Sequence, residues 1–132
     1  MIRATTTGDE AALRTLQSLL DRSEPMLVDA ACGALAIGRI AVVDRPVGYA
    51  IAIPGEPATL AELAVRPSAR RNGYGRALVE SVAEPVEGLV ATTRADDAQA
   101  VAFYRALGFD VGDQLPGFYG DGSDGLRLRR RA

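Results

Sequence analysis

Six consecutive residues, Arg70-Arg71-Asn72-Gly73-Tyr74-Gly75, combine positive charge with main-chain freedom at one point of the chain. A β-prone apolar run ends shortly before them at Leu63-Ala64-Val65, and a helical pattern with Ala77, Leu78 and Val82 follows. Strand, glycine turn and helix in that order make an anion cradle. The first amides of a helix lack intrahelical acceptors, and the helix dipole adds positive potential at the same end. Glycine lets the backbone approach phosphate oxygens with no Cβ in the way. Arg70, Arg71 and Arg76 add guanidinium groups that pair with phosphates. Taken alone, the two glycines also suit a tight turn with no ligand.

Two other phosphate cradles are excluded. A dinucleotide fingerprint needs a third glycine at position 78, where Leu78 stands, and a P-loop needs a lysine, of which the chain has none. All fifteen basic residues are arginine, which a coding bias explains. There is no histidine and one cysteine, Cys32, so the usual zinc sites, Ser-His or Cys-His nucleophiles and an internal disulfide are ruled out. Cys32 reads as a small core residue. A net charge of −2 gives no basic field for nucleic acid. No run approaches the ~18 apolar residues of a membrane helix, and Met1-Ile2-Arg3-Ala4-Thr5 lacks the long apolar run of a secretory signal. The expectation is a cytoplasmic protein with no membrane or nucleic-acid partner, and one domain over residues 1–132.

The elements that position the turn follow from periodicity. Ile2 to Thr5 predicts a strand. Thr7 or Asp9 caps a helix whose apolar positions are Leu13, Leu16, Leu19 and Leu20, ending near Arg22-Ser23. Met26 to Cys32 allows one or two helical turns. Strands follow up to Val43, over Val47 to Ile53 and over Ala58 to Val65, with turns at Asp44-Arg45-Pro46 and Pro54 to Pro57. The helix after the glycine turn stops at Pro85. Leu89 to Thr93 predicts a buried strand, and Asp96-Asp97 opens a helix running to Leu107 with Gly108 as its C-terminal cap. Strands begin at Phe109 and around Leu126 to Leu128, joined by a glycine-rich loop. The order is that of an α/β fold with a mixed, mostly antiparallel sheet flanked by helices. Arg129-Arg130-Arg131 reads as a short solvated tail.

This arrangement resembles the GNAT superfamily of acetyl-coenzyme A-dependent N-acetyltransferases. Their central motif, Arg/Gln-x-x-Gly-x-Gly/Ala, lies five residues after a strand end, and Arg70 to Gly75 stands so after Val65. A second family motif, Asn-x-x-Ala, then Tyr, then Gly-Phe, is matched by Asp97-Ala98-Gln99-Ala100, Phe103-Tyr104 and Gly108-Phe109. The resemblance implies acetyl-CoA as co-substrate, with no metal, and direct transfer to an amine in a ternary complex. It implies that the backbone of Leu63, Ala64 and Val65 pairs with the pantetheine arm. Arg70, Arg71, Asn72, Gly73, Tyr74, Gly75 and Arg76 would hold the pyrophosphate. Asp97, where the family usually has Asn, would touch the cofactor or simply cap its helix.

The same resemblance makes Tyr104 the candidate general acid. A phenol of pKa about 10 can protonate a thiolate of pKa about 8.5. Relatives often carry a glutamate base at the position of Thr92; it is absent here, and Glu62 is the replacement, beside the strand end that would hold the thioester. An α-amine, with pKa about 7.7–8.0 against about 10.4 for lysine, asks less of a weak base.

Gly117-Phe118-Tyr119-Gly120-Asp121-Gly122-Ser123-Asp124-Gly125 resembles the Tyr-Tyr-x-Asp-Gly-x-Asp-Ala loop of protein N-terminal acetyltransferases, including the RimI-like ribosomal-protein alanine branch. That loop grips the acceptor peptide in the family, which implies acceptor contacts for Tyr119 and Phe118. The expected acceptor is a peptide or protein α-amine. A small amine, or a coenzyme A-binding regulatory module without turnover, are the alternatives. Oligomeric state is left as monomer or homodimer.

Overall fold

A computed structural model describes residues 1–131. Strand β1 (Ile2–Ala4) leads through a 3-10 turn at Thr7–Asp9 into helix α1 (Glu10–Gln17). Helix α2 (Pro25–Cys32) follows, then β2 (Ile37–Val43), β3 (Arg45–Ile53) and β4 (Ala58–Val65). Helix α3 (Tyr74–Ala83), β5 (Gly88–Arg94), α4 (Ala98–Ala106), β6 (Asp110–Leu115) and β7 (Gly125–Arg131) complete the chain. No helix among the described residues is long and apolar enough to cross a membrane.

Helix α1 is shorter than its leucine spacing predicts. The amides of Ser18, Leu19 and Leu20 donate to carbonyls three residues back, Thr15, Leu16 and Gln17, so the helix tightens after Gln17 instead of reaching Arg22. Its start falls at Asp9, one of the two expected caps, though without a side-chain capping bond. Asp9 occupies the cap position, but its carboxylate turns back to accept from the Thr6 N–H at 2.8 Å and from both Arg3 guanidinium nitrogens at 2.7 and 2.8 Å. Arg3 first, with the Thr6 amide, holds the Asp9 carboxyl down at about 2.

The seven strands form one sheet in the order β1-β2-β3-β4-β5-β7-β6. Every neighbouring pair is antiparallel except β4 and β5. Helices α1 and α2 cover one core, with Leu13, Leu16, Val28, Ile40, Tyr49 and Ile51. Helix α3 covers the other, with Leu78, Val79, Val82, Leu89 and Leu128. The interior strand β3 feeds both layers by simple alternation, Tyr49 and Ile51 to one and Ala50 and Ala52 to the other.

Strand β4 is irregular on both edges. In its pairing with β3, Ile51 faces Glu62 and Ala52 faces Leu60, so Ala61 is an extra residue and β4 bulges there. The bulge shifts side-chain parity. Leu60, Leu63 and Val65 pack with the α3 layer, while Glu62 and Ala64 face the α1 and α2 layer. On its other edge β4 pairs with β5 only at Ala58↔Leu89 and Thr59↔Val90. Beyond these pairs the two parallel strands part.

The arginine-rich terminus is not a solvated tail. Arg129, Arg130 and Arg131 pair with Val90, Leu89 and Gly88 as the last rungs of β7. Alternation turns Arg130 toward α3, where it bonds both carboxylate oxygens of Glu80 at 2.6 and 3.1 Å. The partner strand β5 is as long as β7, and that long-range pairing leaves no local mark in an Arg-Arg-Arg run.

Candidate active site

Where β4 and β5 part, a cleft of about 600 Å³ opens. Leu63, Ala64 and Val65 form one wall, and the turn from Arg70 through Arg76 closes one end. Helix α4 supplies Asp97, Ala100, Phe103 and Tyr104 opposite, and Leu19 and Leu20 enter from the end of α1. The unpaired edge of β4 leaves main-chain groups available along this wall, save the Val65 carbonyl, which accepts from Arg70 Nε at 3.2 Å.

The turn is built to present amides. Gly73 sits at φ +80°, where glycine alone is unstrained, and Arg71 adopts φ +67° just before it. Asn72 Nδ2 donates to the carbonyls of Ala69 at 3.0 Å and Arg70 at 3.1 Å, locking the bend. The first amide to bond within the helix is Ala77 N–H, to Gly73 O at 3.0 Å. The N–H groups of Tyr74, Gly75 and Arg76 are therefore free at the cleft end, with the exposed Arg71 and Arg76 beside them. A Cβ on Gly75 would stand 3.4 Å from the Phe103 ring, so glycine keeps the passage between turn and α4 open. These groups fit a diphosphate. Of the seven turn residues expected to hold one, Asn72 alone does not line the cleft, and its side chain is spent on the turn.

Asp97 does two things at once. It lines the cleft, and its carboxylate caps α4 by accepting from Ala100 N–H at 3.0 Å. Two turns on, Tyr104 lies edge-on to Phe103 and Phe109, with ring centroids 5.1 and 5.2 Å away. Its hydroxyl has no hydrogen-bond partner among the described residues. Burial among these rings pushes the phenol up to about 12. Tyr104 is thus a protonated donor at the cleft wall with its hydrogen uncommitted.

Glu62 occupies a different setting. The parity shift at the Ala61 bulge turns it away from the cleft, and it is 6% exposed. Its Oε1 accepts from Gln17 Nε2 and from the Tyr49 hydroxyl, both at 2.9 Å, and its Oε2 accepts from Glu24 N–H at 2.7 Å. The carboxylate therefore ties α1, β3 and the α1–α2 connection to β4. Burial first, and then the Glu62 carboxylate, push the Tyr49 phenol far above its usual range, so it acts only as a donor. Thr92, in β5, pairs with Arg127 of β7 and does not line the cleft.

The β6–β7 loop is folded on its own acidic side chains. Asp124 accepts from Gly117 N–H at 2.9 Å and Gln114 Nε2 at 3.1 Å. Asp121 accepts from Ser123 N–H at 2.9 Å and Arg94 at 3.0 Å, and Arg94 also reaches the Ser123 hydroxyl. Phe118 and Tyr119 meet edge-on at 5.0 Å. Gly125 lets Phe118 lie back, since a Cβ there would stand 3.2 Å from that side chain. The Tyr119 ring carries two guanidinium groups, Arg94 at 4.5 Å and Arg22 at 5.6 Å from its centroid. Sequence reasoning missed Leu19, Leu20, Arg22 and Arg94. Their roles depend on where α1 stops and where the last loop folds, which no local pattern announces.

The acetyltransferase (GNAT) domain family matches residues 36–111, more than half of the chain. The chain belongs to this family: it is an N-acetyltransferase that uses acetyl-CoA as its donor. No curated protein matches it. Among solved structures it is similar to the ribosomal-protein-S18-alanine N-acetyltransferase of Escherichia coli, at 24% identity and a TM-score of 0.85, covering 99% of this chain and 92% of that one. It is similar to Arabidopsis thaliana NAA60 in complex with acetyl-CoA, at 18% identity and a TM-score of 0.86, covering 99% and 97%. It is also similar to an IAA acetyltransferase of Bacillus cereus, at 17% identity and a TM-score of 0.82, covering 100% and 99%.

Proposed function

We propose that this enzyme acetylates the N-terminal α-amine of a peptide or protein in the cytoplasm, by direct attack in a ternary complex. The observation that carries the reading is the braced β6–β7 loop, which sets Tyr119 between Arg94 of β5 and Arg22 of the α1–α2 connection. A peptide needs such a wall to hold the residues behind its reacting amine. The loop's likeness to that of protein N-terminal acetyltransferases supports the same choice.

When bound, acetyl-CoA supplies an acetyl thioester, whose C–S bond breaks as the amine nitrogen forms the new C–N bond. The free amides of Tyr74 to Arg76, with Arg71 and Arg76, hold the diphosphate, and Arg70 and Asn72 brace the turn. The main chain of Leu63 to Val65 aligns the pantetheine arm. Tyr104 Oη holds the proton that the leaving sulfur takes. Glu62 is assigned as the base at one remove: it does not line the cleft, so the amine proton must reach it through water at Oε2, which accepts only from Glu24 N–H.

Turnover with acetyl-CoA against a panel of peptides and small amines tests this. Acetylation of peptide α-amines at rates well above those of free amino acids and polyamines is expected. Turnover confined to small amines sinks the acceptor assignment, and binding without turnover on any amine sinks the catalytic one.

A further inference from the structure

Both cations on the Tyr119 ring are arginines, but they are not equivalent. Arg94 is neutralised, since it bonds Asp121 Oδ2 at 3.0 Å and the Ser123 hydroxyl. Arg22 is exposed and makes no hydrogen bond or ion pair among the described residues; its one contact of note is the ring, 5.6 Å away. The neighbouring carboxylates are committed elsewhere. Asp124 holds Gly117 and Gln114, Asp97 caps α4, and Glu24 accepts from Met26 N–H at 3.3 Å. Glu62 is buried under three donors. Asp21, next in the chain, forms no ion pair with Arg22.

A guanidinium stacked on an aromatic face is steadied by the ring while its edge N–H groups stay open. That planar fork matches a carboxylate in bidentate fashion. Arg22 also lies two residues beyond Leu20, which lines the cleft, on the connection whose Glu24 amide is pinned by Glu62. Arg22 and Tyr119 do not themselves line the cleft; on the peptide reading they stand beyond Leu20, where the residues behind the reacting amine would pass.

We infer that Arg22 is a specificity-determining residue that selects acceptors bearing a carboxylate close behind the reacting amine, an inference that rests on the peptide reading for its position. In peptide terms, aspartate or glutamate at the second or third residue is favoured over lysine or arginine there. The attraction is at a solvent-exposed rim, so it is salt-sensitive and modest.

The test compares peptides that start with alanine and carry Asp-Asp, Asn-Asn or Lys-Lys next. kcat/KM is measured for the parent, Arg22→Ala and Arg22→Glu, with peptide affinity for the parent followed by NMR titration. The parent is expected to prefer Asp-Asp over Asn-Asn by about 2- to 5-fold at low salt. Arg22→Ala brings the ratio to about one, and Arg22→Glu inverts it toward Lys-Lys. Equal rates in the parent, or a preference that survives Arg22→Ala, overturn the inference. If peptides are inert and only small amines react, the peptide reading has failed separately. Arg22 is then judged on 4-aminobutyrate against 4-aminobutyramide, where equal turnover by the parent overturns it.

Discussion

The hydroxyl of Tyr49 donates to Glu62 Oε1 at 2.9 Å in the interior, between the helix layer and β4. Gln17 Nε2 shares that oxygen, and Glu24 N–H takes the other. Three donors converge on one carboxylate, which a glutamine cannot reproduce, because its amide nitrogen would face one of them. Glu62→Gln is expected to cost about 1–3 kcal/mol in urea unfolding. It should also lower kcat on the order of 100-fold, since no carboxylate is left to take the amine proton. If kcat is kept with only stability changed, Glu62 is a clasp for the α1–α2 connection and not the base.

Tyr104 tests the acid. With its phenol at about 12, proton transfer to a thiolate of pKa about 8.5 is uphill by about 5 kcal/mol. That is steeper than the ordinary phenol value implies. Burial raises a thiol as well, which narrows the gap within the cleft. Tyr104→Phe keeps the ring packing on Phe103 and Phe109, so coenzyme A affinity by calorimetry should change less than about twofold while kcat falls on the order of 100-fold. The parent's kcat should also show no basic limb from this group below about pH 11, since the phenol stays protonated until then.

Much of this site is legible in the residues themselves. The Ala58 to Val65 strand keeps the bounds that its β-prone run and Arg66-Pro67 imply, and Asp97 caps its helix as its type predicts. The Gly73 turn follows from its backbone needs alone. What the chain hides is long-range. Glu62 lies 45 residues from Gln17 in sequence, and a one-residue bulge at Ala61 decides which face it takes. The parting of β4 from β5 is a matter of sheet twist and of what fills the gap, not of composition. Arg22 and Tyr119 meet across about three-quarters of the chain, through a cation–π contact that any arginine and any tyrosine can make.

Gly48 supports the cleft from beneath. A Cβ there would stand 2.8 Å from the Ala64 carbonyl oxygen and 3.1 Å from Val65 Cγ2, and the clash with main chain is one that no rotamer change relieves. Gly48→Ala must push β4 outward at the wall that aligns the cofactor. A loss of about 1–3 kcal/mol in thermal unfolding is expected, with weakened coenzyme A binding. Gly75→Ala is the control. Its Cβ meets the Phe103 ring at 3.4 Å, the edge of ordinary contact, so stability should be kept, while coenzyme A binding weakens because the methyl group narrows the passage at the diphosphate end. A stability loss in Gly75→Ala as large as that in Gly48→Ala contradicts this assignment of the two glycines.

Asp9 sets the acid limit of the fold. Its carboxyl is held at about 2 by the Arg3 guanidinium and the Thr6 amide, against about 3.9 in an unfolded chain. A depressed value means that the charged form is the one the fold favours. The contribution is complete above about pH 5 and is lost as pH falls through about 2. Arg3 is 38% exposed at its side chain, so solvent screening keeps the contribution below about 2 kcal/mol. Urea unfolding of the parent and Asp9→Asn across the range from neutral to about pH 2.5 measures it. The parent should be the more stable at neutral pH, with more than half of the difference gone at the acid end as Asp9 takes up its proton. Curves that stay a constant distance apart over that range would place the stabilisation in neutral hydrogen bonds rather than in the Arg3–Asp9 ion pair.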